Sequence, residues 1–529
     1  MYENNSNKEE KDLGKDQNEF LKKADEHIRS RDRAYIDKIK LIKSNPLLTY
    51  SFSGLLINAG VQLKDKELVS EGVNYLSKNL KELSTQKTYA PGAYYNLANG
   101  FNALFDFERR NNKYYSLFIK TELEQAKFNY LKALKCDFNK SLLRSQIWVN
   151  LGNVYYDIGR VVDALDCYDK AITSKPDHGM AYVNKGRALY YFAWFSEKQR
   201  SSFVKEAHIL IKKGLDLGIY KGAIPFYQDL IIKIEKHFKN KEMLNIDKAN
   251  IGIQIKAKTR FESYLINFCL KNKLYLNVCS FCQKCDQAIG DPETIEKLIS
   301  SIKNKNNVDN LYPHFFSYIN QIKQDYITAR FLFVFSQYTG ININFVDNKV
   351  RLIDTLDYRH YNIRVELLKS SFVNFYNVLD KIACFIKEYL KLDYGSQKNV
   401  YFSDVWYKGL RSEYGVHGKI AETKNIFLNA LYNMHRDIED GQQDKLKGIR
   451  HKLTHSFLNI YWMAGMEDKK MTDMTLFEDT LELARIVRNA VIYLLKFVYV
   501  EETKKEKGKK DLILPMVWTE IPDKFKKIM

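Results

Sequence analysis

Trp148-Val149-Asn150-Leu151-Gly152-Asn153-Val154-Tyr155 decides the fold of the first half of this chain. Its large residues recur at helical steps around one glycine. Downstream stand Ala164, Tyr168, Ala171 and Pro176. Gly152 and Ala164 are small enough to let two helices of a hairpin meet closely, while Trp148, Leu151, Tyr155 and Tyr168 fill the space around the contact. Pro176 stops the second helix and starts the next turn. The pattern then repeats in phase: Trp148 and Tyr182, like Gly152 and Gly186, stand 34 residues apart. An earlier unit shows at Tyr94, Leu97, Ala98 and Phe101, then Ala126, Tyr130 and Ala133, with an insertion around Phe107 to Glu122. Weaker units are expected around Leu55 to Leu76 and Ala188 to Leu215.

The eight matched positions resemble the tetratricopeptide (TPR) repeat. That resemblance implies a curved stack of helix pairs with a groove for a partner, most often a protein. Nothing in the sequence names the partner.

Composition agrees with a helical chain. At 529 residues it is too long for one core, and only 8 prolines interrupt it. Tyrosine (36) and phenylalanine (31) are abundant enough to fill spaces between stacked helices. Lys+Arg exceed Asp+Glu by 83 to 64, a formal charge of +19. That charge suits contact with a polyanion such as RNA, or simply a solvated basic surface. The 7 cysteines are odd in number and mostly scattered, unlike a secreted disulfide framework. Met1 to Asn18 is polar, without the apolar core of a signal peptide, and no stretch reaches the ~18 apolar residues a membrane helix needs. A cytoplasmic protein without membrane contact is expected.

Cys279, Cys282 and Cys285 form a C-x2-C-x2-C run. Thiolates at this spacing can wrap a metal, but four ligands are wanted and neither Cys269 nor His314 forms a second pair. The favoured reading is three small residues before a turn at Gly290-Asp291-Pro292. No cofactor or metal is expected.

The C-terminal part reads as helices. Tyr361 to Leu390 is expected helical, with apolar steps at Val365, Leu368, Phe372, Phe375, Leu379, Ile382 and Ile386; so, near the other end of the chain, is Phe20 to Ile42. Asp380 interrupts that face and is read as a solvated residue. Lys398 to Gly418 is an insertion containing Trp406. Asn425 to Ile438 and Leu476 to Val500 are further helices, and Leu512 to Trp518 is a short apolar piece after a lysine run. Between them Gly448-Ile449-Arg450-His451-Lys452-Leu453-Thr454-His455 is expected to open a helix running to about Met463. Arginine holds phosphate with a planar fork of donors, and histidine moves protons near neutral pH.

This helical pattern, with Arg-x4-His opening its penultimate helix, resembles the HEPN family (higher eukaryotes and prokaryotes nucleotide-binding). The resemblance covers roughly Asp325 to Val500. It implies a helical bundle, usually dimeric, and often a metal-independent ribonuclease. Arg450 and His455 then stand at the catalytic positions. His451 occupies the polar position that is more often asparagine. A bacterial subfamily sets TPR repeats before such a domain, commonly in phage defence or toxin–antitoxin systems. The expected fold is all-α: an N-terminal TPR-like helical-hairpin solenoid, a helical linker region and a HEPN-like helical bundle. The expected domains are a disordered tail (1–16), TPR-like repeats (17–240), a helical middle region (241–340), the HEPN-like bundle (341–500) and a basic tail (501–529).

Such a kit suits RNA, which carries its own nucleophile, the 2′-hydroxyl. His455 acts as base or acid and Arg450 clamps the phosphate, giving a 2′,3′-cyclic phosphate and a 5′-hydroxyl. Five residues along a helix turn about 140°, so one helix cannot aim both groups at one atom. A homodimer with a composite cleft resolves this, and a phosphate at the helix start would feel its positive end. The rivals are a metal site and an adaptor. A zincin needs glutamate after the first histidine, where Lys452 stands. In the adaptor reading the helices are non-catalytic and the repeat groove binds a protein.

Overall fold

The computed structural model describes residues 21–41, 46–111, 121–197, 199–237, 256–281, 286–296, 313–353, 358–395, 400–410, 415–439, 443–462 and 471–506, with a few isolated positions besides. The architecture is all-α. Among the described residues no β-strand forms, only three isolated bridges. None of their helices is long and apolar enough to cross a membrane. The expectations for residues 1–16 and Leu512 to Trp518 lie outside the described residues.

The chain divides into two compact units. The first comprises Met1–Leu189 and Ala207–Lys239, the second Tyr190–Glu206 and Asn240–Met529.

The first unit is a series of helix hairpins. After α1 (Arg33–Leu41) come α2 (Pro46–Leu63) with α3 (Lys66–Thr85), α4 (Ala90–Asn111) with α5 (Thr121–Lys135), and α6 (Ser141–Ile158) with α7 (Val161–Ser174). The first part of α8 (Gly179–Ala193), the second part of α9 (Arg200–Asp216) and α10 (Ile224–His237) follow, the rest of α8 and α9 falling in the second unit. Each of the three pairs packs chiefly within itself, and the first packs on the second and the second on the third. The single helix expected from Phe20 to Ile42 is broken at residues 30–32, where Arg31 takes φ 60°. That left-handed turn needs no proline or glycine, so composition did not signal it.

The close approach read from Gly152 is real. A Cβ there would lie 2.6 Å from Cε1 of Tyr168, whose ring is fully buried. The Tyr168 hydroxyl donates to Asn153 Oδ1 at 2.9 Å, so the ring cannot swing aside freely. Gly186 repeats the device against Ile211 Cγ1 at 2.6 Å. Gly159 ends α6 at φ 97°, a left-handed cap suited to glycine.

In the second unit, α11 (Arg260–Asn272) precedes a bundle of α12 (Pro313–Gln337), α13 (Ile363–Leu390), α15 (Ile426–Glu439) and α17 (Asp473–Glu506). The short α14 (Gly418–Glu422) and α16 (Asp444–His455) complete it. α12 packs along α13, α13 and α15 pack on α17, and α16 rests on α15 and α13. Phe372, Phe375, Leu379, Ile382, Leu483, Val487, Val491 and Leu494 form the dry interior.

Charges are buried here with partners. Arg330 grips Asp291 through both oxygens at 2.7 and 2.8 Å. Lys496, 1 % exposed, pairs with Glu293 at 2.7 Å. Arg488 donates to the carbonyl of Tyr275 at 3.0 Å and also to that of Asn277. These bonds fasten Tyr275, Asn277, Asp291 and Glu293 to α12 and α17, because stripping a buried charge of its partner costs several kcal/mol.

His435 on α15 is 1 % exposed, stacked near Trp406 and bonded through Nε2 to the Tyr407 hydroxyl at 2.9 Å. Burial, reinforced by the Arg436 and Lys447 cations, pushes its pKa down to about 3.

Two tests follow from this packing. Gly152→Val drives a side chain into Tyr168 and should destabilise the first unit by about 1–3 kcal/mol in urea unfolding; an unchanged midpoint contradicts the contact. His435 stays neutral in the folded chain but protonates near 6.5 when unfolded, so its contribution is complete above that pH and lost on acidification towards 3. Going from pH 7 to pH 5 should cost about 2 kcal/mol through this residue. His435→Gln should flatten that part of the pH dependence of Tm, and an identical slope in the variant contradicts it.

Candidate active site

The Arg-x4-His stretch lies on α16, but not where the sequence placed it. The helix begins at Asp444, an acidic first-turn residue, and ends at His455, with Ser456 as the extended C-cap. Gly448 is interior to the helix, where it costs roughly 1 kcal/mol against alanine without ending it. Arg450 and His455 therefore occupy the C-terminal half. The expected opening of a helix at Arg450, its extension to Met463 and a phosphate at its positive end are all overturned. The negative end of the helix dipole faces this region instead.

The residues after the helix run extended. His360 N–H donates to the Ile460 carbonyl at 2.7 Å and Trp462 N–H to the Tyr358 carbonyl at 3.1 Å. Tyr461 bridges Arg359 antiparallel and Thr472 parallel. Phe457 and Trp462 look apolar enough for a helix core, yet are 89 % and 63 % exposed.

α16 is two-faced. Leu446 and Ile449 are buried against the bundle, and Arg450 follows them inward. His451 and His455, four residues apart, lie on the exposed face with ring centroids 5.3 Å apart. Among the described residues no hydrogen bond joins Arg450 to either histidine. The structure thus pairs the two imidazoles and holds the guanidinium elsewhere, as the 140° separation requires.

What holds Arg450 was not anticipated. Its Nη2 donates to Asp380 Oδ2 at 2.7 Å, and its guanidinium lies over the Tyr376 ring, 4.6 Å from the centroid. Tyr401 sits 6.0 Å away on another side. Asp380, read as a solvated residue, is mostly buried and accepts from the Phe402 N–H through Oδ1 at 3.0 Å. Burial pushes its carboxyl above the usual range, partly offset by that N–H and by Arg450. The sequence carried one signal: Tyr376 and Asp380 stand four apart on an otherwise apolar helix face. Arg450 Nε is buried without a hydrogen-bond partner, so the donor set of the guanidinium is incompletely used.

Among the described residues no group of three His, Cys, Asp or Glu side chains is placed to hold a metal ion. Cys279 is buried at 3 % exposure, and Cys282 and Cys285 lie outside the described residues.

No curated protein matches the chain. The tetratricopeptide repeat model matches residues 145–178, which span the α6–α7 hairpin. The model described as LA2681-like HEPN matches residues 307–501, which include α12 to α16, most of α17 and the Arg450–His455 motif. The chain carries a tetratricopeptide repeat followed by a C-terminal HEPN domain of the LA2681-like family.

Proposed function

We propose that the C-terminal domain is a metal-independent endoribonuclease and that the repeats bind a protein partner or trigger that controls it. The observation carrying this reading is a preorganised guanidinium, Arg450 on Tyr376 and Asp380, on the same helix as an exposed imidazole pair inside the HEPN-matched region. HEPN domains are associated with RNA or nucleotides, and TPR repeats with protein partners.

The chemistry follows from the groups available. An imidazole, His455 with His451 beside it, removes the proton of the 2′-hydroxyl, and a second protonates the leaving 5′-oxygen. The 2′-oxygen bonds to phosphorus as the bond to the 5′-oxygen breaks, giving a 2′,3′-cyclic phosphate. Arg450 balances charge on the phosphoryl oxygens through the part of its guanidinium that Asp380 leaves unpaired. Asp380 orients the guanidinium and keeps it from collapsing onto solvent. Because the imidazoles and the guanidinium occupy different faces of one helix, a homodimer that sets two motifs in one cleft is the simplest working arrangement. An RNase of this kind suits a defence or toxin–antitoxin effector in the cytoplasm. The competing reading is a non-catalytic adaptor, favoured by that same separation of faces within one chain.

The test uses the full chain beside Arg450→Ala and His455→Ala, with tRNA, mRNA and rRNA in EDTA. Wild type should cleave, and each substitution should lower the rate about 10²–10⁴-fold. Three equally inert proteins that also leave growth unaffected on expression contradict the nuclease and favour the adaptor.

A further inference from the structure

A groove of about 870 Å³ opens between α13 and the residues that follow α16. This is the volume range of small-molecule sites. Its lining is chemically mixed. Tyr361 and Phe457 offer aromatic faces and are 46 % and 89 % exposed. Arg359 and Lys369 supply cations, the latter 16 % exposed and paired with Glu366 at 2.8 Å. Asn374 and Ser456 supply an amide and a hydroxyl. The Asn374 amide makes no hydrogen bond among the described residues. Ser456 is the C-cap of α16 and directly follows His455 in the chain, while Arg450, His451 and His455 themselves do not line the groove.

We propose that this groove is a subsite for an unpaired nucleotide of single-stranded RNA, the one flanking the phosphate presented to His455. The placement relative to cleavage rests on the nuclease reading; the binding itself does not. Three features favour RNA over a protein partner. Exposed aromatic faces stack on any base that has left a helix. An uncommitted amide matches the donors and acceptors of a base edge. The Arg359 cation on the lining, in a chain of net charge +19, suits a phosphodiester backbone, while Lys369 is paired with Glu366, which also lines the groove.

Binding is measured by fluorescence anisotropy on full-length protein carrying His455→Ala to prevent turnover, with labelled 12-nucleotide RNAs of single-base composition, in EDTA at fixed salt. Adding Phe457→Ala or Tyr361→Ala should weaken Kd by roughly 5- to 150-fold, the range expected for one lost stacking partner. Both rings are exposed, so folding should persist and is checked by circular dichroism. Asn374→Ala should alter the ranking among the four homopolymers more than the mean affinity. Unchanged Kd in both ring variants overturns the subsite and leaves the nuclease test untouched. Unchanged Kd together with dissociation of a dimer in light scattering assigns the face to a second copy, which also overturns it. Weakened binding by the ring variants when wild type cleaves nothing supports the subsite and removes only its link to catalysis.

Discussion

A guanidinium that leaves bulk water needs compensation, and Arg450 obtains most of it from the middle of another helix. Asp380 takes one edge of the fork, the Tyr376 face lies beneath it, and Tyr401 closes in from a third direction. Charge-assisted bonds of this type contribute on the order of 1.5–3 kcal/mol when mostly shielded. The pairing sets the roll of α16 about its axis. With Leu446, Ile449 and Arg450 turned inward, His451 and His455 are turned outward by helical geometry alone. The exposed histidines are thus a consequence of where the arginine is anchored.

The same logic recurs through the bundle. Arg330 with Asp291, Lys496 with Glu293, and Arg488 with backbone carbonyls each join segments far apart in sequence. Such pairs add little net stability over apolar packing but penalise any arrangement that separates them. Between α13 and α16 the same part is played by Arg450 with Asp380, which holds the two helices in register.

The hairpin repeats were legible because each depends on contacts local in sequence. Gly152 against Tyr168 is a separation that a 34-residue period encodes directly. The motif was legible as residues but not as placement. Phe457, Leu458, Ile460, Tyr461 and Trp462 looked like helix continuation, yet the chain pairs with residues 358–360 instead, and only Ile460 of these is buried. Gly448 looked like a helix start and proved to be an interior residue. Asp380 could not be read correctly because its partner lies 70 residues away. Lys496 and Arg488 were hidden in an apolar pattern for the same reason, their partners standing some 200 residues upstream.

The chain thus carries helix-hairpin repeats in one unit and, in the other, a helical bundle with a compact polar site. The central claim is that RNA supplies its own nucleophile there, with protein groups moving only protons and charge. The most direct measurement takes an RNA with a mapped cut and replaces the ribose on the 5′ side of that cut by 2′-deoxyribose. The account predicts that cleavage at that position vanishes in EDTA while neighbouring cuts persist with 2′,3′-cyclic phosphate ends. Continued cleavage at the deoxy position, leaving a 3′-hydroxyl or requiring an added divalent cation, would contradict it.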